Sequence, residues 1–90
     1  MGINFVCMNW TEENNKLQRK FKFESFMQAM EFMQRASREI DAMDHHPEWS
    51  NVYNTVDVTL RTHDAGNTVT EKDRRLADIL DRIYGELKPL

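Results

Sequence analysis

Residues 16–23, KLQRKFKF, alternate along the chain: Leu17, Phe21 and Phe23 fall on one parity, Lys20 and Lys22 on the other. A period of two with one apolar side is the pattern of a half-buried strand. The stretch before it, INFVCMNW over residues 3–10, is apolar on both parities, as expected for a strand covered on two faces. Between them TEENNK supplies polar turn residues, and Asn14 and Asn15 can take positive φ, so the two strands are expected to form a hairpin.

The period then changes. Ser25 with Gln28 three positions on fits a capping box, and Phe26, Met30, Met33, Ser37 and Ile40 follow at helical spacing. Ala29, Ala36 and Met43 widen that stripe, while Glu31, Arg35, Arg38 and Glu39 fall away from it. Pro47 pushes His46 out of the α region, so the helix is expected to stop near residue 44 or 45. After Trp49 the chain returns to period two: Val56, Val58 and Leu60 face one way, and Asp57, Thr59, Arg61 and His63 the other. DAGN is a turn signal. Thr70 with Asp73 forms an N-cap pair for a last helix carrying Leu76, Ala77, Leu80, Ile83 and Leu87, which Pro89 ends. The order β-β-α-β-β-α predicts an α+β fold, an antiparallel sheet with helices on one face.

Composition narrows the function classes. Ninety residues make one small domain, 1–90, with 40% hydrophobic and 30% charged positions. A chain of this size buries only ~60–65% of its unfolded surface and gains from oligomerising. A net charge of −3 and a pI near 5.5 argue against a nucleic-acid footprint, which needs a basic face. KFKFESF has aromatics placed somewhat like an RNA-recognition strand, but it lacks that motif's glycines. No apolar run approaches the ~20 residues of a membrane span. The start, MGINFV, has neither the layout of a signal peptide nor a Ser/Thr at position 6 for myristoylation. Cys7 is alone, so no intrachain disulfide and no cysteine zinc site can form. A cytoplasmic protein is expected.

Candidate chemistry centres on DHHPEW, residues 44–49, which holds two of the three histidines. If the helix runs to residue 45, Asp41 and His45 lie four apart on one face, and the carboxylate would hold one imidazole tautomer. His63 falls at the end of a strand, on its polar side, where a loop begins. Solvated surface histidines and an acid/base site both fit this placement. A metal site fits less well. Adjacent residues on an extended segment point to opposite sides, and the chain has no His-x-His or His-x-x-x-His spacing. Trp49 and Tyr53 read either as core or oligomer contacts or as an aromatic wall for a flat heterocycle. Asp73 reads as a helix cap that can also face a site.

Together, D-x-x-x-H-H-P-E-W-x-x-x-Y, then T-H-D-x-G, then T-E-K-D, with FKFESF upstream, resemble the pterin-4a-carbinolamine dehydratases, also called 4a-hydroxytetrahydrobiopterin dehydratases. The resemblance runs from about Trp10 to the end of the last helix. It implies a four-stranded antiparallel sheet with helices on one face, and small subunits that associate as homodimers or homotetramers. It implies no metal and no bound cofactor. His45, His46 and His63 would lie in the active-site cleft, with Asp41 at the acidic position before the pair; Trp49 and Asp73 also match site positions.

The activity the resemblance implies is loss of water from a 4a-hydroxytetrahydropterin, giving the quinonoid dihydropterin for re-reduction. Such a step needs a proton delivered to the departing hydroxyl and one taken from a ring nitrogen. Histidine, with an unperturbed pKa of ~6.5, suits both tasks. On this reading His45 and His63 form the acid/base pair, Asp41 orients His45 and His46 holds the pterin. A second reading is a non-catalytic interaction module, since mammalian members of the family also bind a homeodomain transcription factor; a third is action on another small heterocycle. The chain departs from the family pattern in three places. It begins at the first strand, without the helix that usually precedes it. Asp41 stands for the commoner Glu, one methylene shorter. The loop DAGNTVTEK is one residue longer than the usual Gly-Gly-Leu-Thr form.

Overall fold

In the computed structural model, which describes residues 9–87, the hairpin is formed by β1 (Thr11–Glu13) and β2 (Lys16–Lys22). They pair antiparallel with Glu13 opposite Lys16. Asn14 and Asn15, at φ 53° and 61°, supply the two positive φ values that a type I′ turn demands. Residues 3–8 of the expected first strand lie outside the described residues. Its last two, Asn9 and Trp10, are not in a strand, and β1 is formed by Thr11–Glu13, where polar turn residues are expected from the sequence. All three side chains are exposed, so no apolar alternation marks this edge strand; backbone pairing to β2 suffices to form it.

Helix α1 (Phe26–Met43) starts as the capping pattern predicts: Gln28 N–H donates to Ser25 Oγ at 3.1 Å. The return bond goes one residue further back, from Glu24 N–H to Gln28 Oε1 at 3.0 Å. The buried stripe is Ala29, Phe32, Ala36 and Ile40, rotated from the expected one. Phe26 and Ser37 are exposed, and Phe32, packed between Phe21 and Phe23 at ring-centroid distances of 4.8 and 5.1 Å, is its centre.

Strands β3 (Glu48–Val52) and β4 (Thr55–Leu60) form a second hairpin around Tyr53 and Asn54. Helix α2 (Glu71–Leu87) follows, burying the expected Leu76, Ala77, Leu80 and Ile83. The sheet order is β1-β2-β4-β3, all antiparallel. Leu17, Phe21, Val56, Val58 and Leu60 point from one face of this sheet into the core shared with both helices. Gln18, Lys20, Lys22 and Ser50 point away from it and are exposed. The chain is therefore α+β with its helices on one face, as the element order implies. Among the described residues no helix is long and apolar enough to cross a membrane.

Candidate active site

The end of α1 determines where the histidines go. Asp44 adopts a left-handed conformation (φ 54°, ψ 42°). Its N–H donates to Asp41 C=O at 3.1 Å, and His45 N–H donates to Ile40 C=O at 3.4 Å. This is the paired bonding of a Schellman motif, with Asp where glycine is commonest. The helix thus ends two residues before His45, and the reversal at Asp44 turns His45 inward while His46 stays exposed.

The expected pairing of His45 with Asp41 is accordingly corrected. His45 Nε2 lies 2.6 Å from Oδ1 of Asp73, whose side chain is fully buried. Asp41, on the last turn of α1, is exposed. A carboxylate accepts, so Nε2 carries the hydrogen and Nδ1 is the free nitrogen of neutral His45. The other oxygen of Asp73 accepts from Thr70 N–H at 2.9 Å and from Thr62 Oγ1–H at 2.8 Å. Thr62 Oγ1 also lies 2.7 Å from Thr70 Oγ1. With its hydrogen given to Asp73, Thr62 accepts from Thr70. Asp73 is thus at once the cap of α2, as the Thr70/Asp73 spacing suggested, and the partner of a histidine. A buried carboxylate is tolerated because three donors surround it.

His63 does not end a strand. β4 stops at Leu60, and His63 opens a single 3-10 turn, His63–Ala65. Thr62 beside it is tied across the loop by Thr62 N–H to Thr68 C=O at 2.9 Å. The His63 ring is mostly exposed (64%); its Nδ1 sits 2.6 Å from Asn67 Oδ1 and its Nε2 3.9 Å from Glu48 Oε2. Glu48 in turn accepts from Arg61 Nη2 at 3.1 Å.

Alongside lies a groove of about 480 Å³ between the last turns of α1 and the start of β3, lined by Ser37, Arg38, Ile40, Asp41, His46, Pro47 and Trp49. Trp49 is half-buried: it packs on the core as well as lining the groove. Tyr53 sits at the exposed β3–β4 turn and does not line the groove. The candidate residues therefore fall into three groups. His46, Trp49 and Asp41 line the groove, His45 and Asp73 form a buried pair, and His63 stands on the neighbouring turn. Thr62, Glu48 and Asn67 are not singled out by the sequence as site residues, although Thr62 stands in T-H-D-x-G, Glu48 in HHPEW and Asn67 in the DAGN turn signal. Among the described residues no three His, Cys, Asp or Glu side chains converge as metal ligands.

Comparison with known proteins gives the same answer along most of the chain. Residues 4–83 match the family model described as pterin 4 alpha carbinolamine dehydratase. A protein of Opitutus terrae provisionally named pterin-4-alpha-carbinolamine dehydratase is 50% identical over 74 residues, covering 82% of this chain and 76% of that one. One of Rhodospirillum rubrum with the same provisional name is 49% identical over 75 residues, covering 83% and 77%. Among solved structures, a transcriptional coactivator/pterin dehydratase from Brucella melitensis superposes with a TM-score of 0.82 at 43% identity, covering 86% of this chain and 83% of that one. A pterin dehydratase-like protein identified as a RuBisCO assembly factor in the alpha-carboxysome shares the fold at a TM-score of 0.73 and 24% identity, with 86% and 90% coverage. With the fold, the HHPEW exit of α1 and the sequence match all in agreement, the chain belongs to the pterin-4a-carbinolamine dehydratase family.

Proposed function

We propose that the protein dehydrates a 4a-hydroxytetrahydropterin to the quinonoid dihydropterin, by histidine acid/base catalysis. The observation that carries this reading is the buried Asp73 carboxylate holding His45 at 2.6 Å, directly before His46 on the groove wall. A flat bicyclic ring fits a groove with Trp49 and Pro47 on its walls and polar groups at its edge. In the step itself the carbon–oxygen bond at C4a breaks and a double bond forms to the adjacent ring nitrogen. The proton on that nitrogen goes to a base, the departing hydroxyl receives one from an acid, and one water leaves. His45 exchanges a proton at Nδ1 and His63 at Nε2. The ring acting as base starts neutral, the ring acting as acid starts as the imidazolium, and the two swap protonation states in the step. Asp73 orients His45, and His46 holds the pterin from the groove. Each positioned proton transfer is worth roughly 10²–10⁴-fold in rate.

A coupled reaction with an aromatic amino acid hydroxylase tests the reading. Faster disappearance of the 4a-hydroxy intermediate in the presence of the protein is expected, and His45→Ala and His63→Ala should each lose it. No acceleration by the wild-type chain, or wild-type turnover in both variants, overturns it. A second reading, a protein-binding role, is favoured by the name of the Brucella relative, which couples coactivator with dehydratase. An inert wild-type chain would move the assignment there.

A further inference from the structure

We propose that Asn67 is a positioning residue for His63, holding its ring in the Nδ1–H tautomer so that Nε2 is the nitrogen that exchanges the proton; this rests on the acid/base role given to His63 above. Asn67 Oδ1 lies 2.6 Å from His63 Nδ1, and a carbonyl oxygen only accepts. The Nδ1 nitrogen must therefore carry hydrogen, which leaves the Nε2 lone pair unprotonated in the neutral ring. The loop is built to keep that oxygen in place. Asn67 N–H donates to Thr62 C=O at 3.0 Å, Gly66 N–H to His63 C=O at 3.1 Å, and Ala65 N–H to Thr62 C=O at 3.3 Å. Asn67 itself is left-handed at φ 59°, a conformation that asparagine accepts and most residues do not. Backbone bonds, not the side chain, thus fix the turn. They hold the amide against an exposed ring that would otherwise rotate freely.

The charged groups around the ring are consistent with this division between its two nitrogens. Glu48 on β3 is the carboxylate nearest Nε2, at 3.9 Å, beyond hydrogen-bonding reach of a neutral ring. Arg61, past the end of β4, holds that same Glu48 oxygen at 3.1 Å. Asp64 is the remaining charged residue of the His63 turn. A proton taken up by Nε2 would face Glu48, while Nδ1 remains engaged by Asn67.

Asn67→Gly removes the acceptor without straining the backbone, since glycine takes this φ freely, and Asn67→Asp keeps an acceptor there. Nitrogen-15 shifts of the imidazole rings, recorded in alkaline solution where histidine is neutral and assigned by loss of the His63 signals in His63→Gln, report the tautomer directly. His63 is expected as mainly Nδ1–H in the wild type and Asn67→Asp, and as mainly Nε2–H in Asn67→Gly. Turnover of the 4a-hydroxypterin in Asn67→Gly should fall about tenfold in kcat at unchanged KM, a part of the roughly 10²–10⁴-fold worth of a positioned proton-transfer group. Asp should recover it. An unchanged tautomer in Asn67→Gly, or a changed tautomer with unchanged kcat, overturns the proposal. A wild-type chain with no dehydratase activity defeats the catalytic reading on its own. In that case the nitrogen-15 spectra still decide what Asn67 does to the ring.

Discussion

His45 and Asp73 are 28 positions apart in sequence, yet the imidazole Nε2 and the carboxylate Oδ1 meet at 2.6 Å. The contact exists because the left-handed Asp44 turns the chain inward just where Thr70 starts α2. Asp73→Asn should therefore do two things. It places an amide NH₂ among groups that all donate, which costs about 1–3 kcal/mol of stability in urea unfolding. It also leaves His45 without its orienting carboxylate, so turnover should drop on the order of 10²-fold or more. Asp41→Asn, on the groove wall, should leave stability within about 0.5 kcal/mol and affect KM more than kcat. Equal losses of kcat in the two variants would return the orienting role to Asp41.

His46 is the exposed ring of the pair and lines the groove with Trp49. Loss of one hydrogen bond to substrate is worth about 0.5–1.5 kcal/mol. His46→Ala is thus expected to raise KM by up to about tenfold while kcat changes less. Steady-state kinetics of the 4a-hydroxypterin would show it, and a pure kcat defect would place His46 in the proton transfer instead.

Everything set by local pattern was legible in the sequence: the alternation of Leu17 and Phe21, the Asn14–Asn15 turn, the Ser25–Gln28 start, the apolar face of α2. Thr11–Glu13 was not, because an exposed edge strand needs only backbone partners and carries no apolar signal. The α1 stripe was displaced because Phe32, flanked by Glu31 and Met33, breaks none of the spacings that fitted Phe26 and Met30. The candidate residues, Asp73 among them, stand out in the motif, but which carboxylate pairs with His45 does not. Helical spacing favours Asp41 only if the helix continues, and the left-handed residue that stops it at Met43 is an Asp, not the glycine that would have announced it.

Tyr53 carries a cost of the same kind at the other hairpin. It holds φ 51° while 65% exposed, and a left-handed backbone costs a residue of this type roughly 1–2 kcal/mol. Asn tolerates that region, so Tyr53→Asn should raise stability by about 0.5–1 kcal/mol, or several degrees in Tm for a domain of this size. An unchanged or lower melting temperature would mean that the tyrosine ring makes up the difference through contacts of its own.

Asp81 gives the protein a pH dependence far from the groove. Its carboxylate accepts from Trp10 Nε1 at 3.0 and 3.1 Å and pairs with Arg19 Nη1 at 2.6 Å. The Arg19 guanidinium also stacks over Phe21 and Tyr84 at 4.4 and 5.0 Å from their ring centroids. Burial nevertheless outweighs these partners and pushes the Asp81 carboxyl above its ordinary value of 3.8. A group whose pKa is raised by folding is bound more tightly to its proton in the native state. The stability it contributes is complete below the unfolded value and is lost as pH rises through the folded one. Many other carboxylates titrate in the same range, so the informative quantity is the difference from Asp81→Asn, which cannot ionise there. Urea unfolding of both proteins across the acid range should find the wild type most favoured relative to Asp81→Asn below pH 3.8, with the advantage shrinking as pH rises above it. A difference that grows with pH would mean that Arg19 and Trp10 dominate and that the carboxylate is a net stabilising anion.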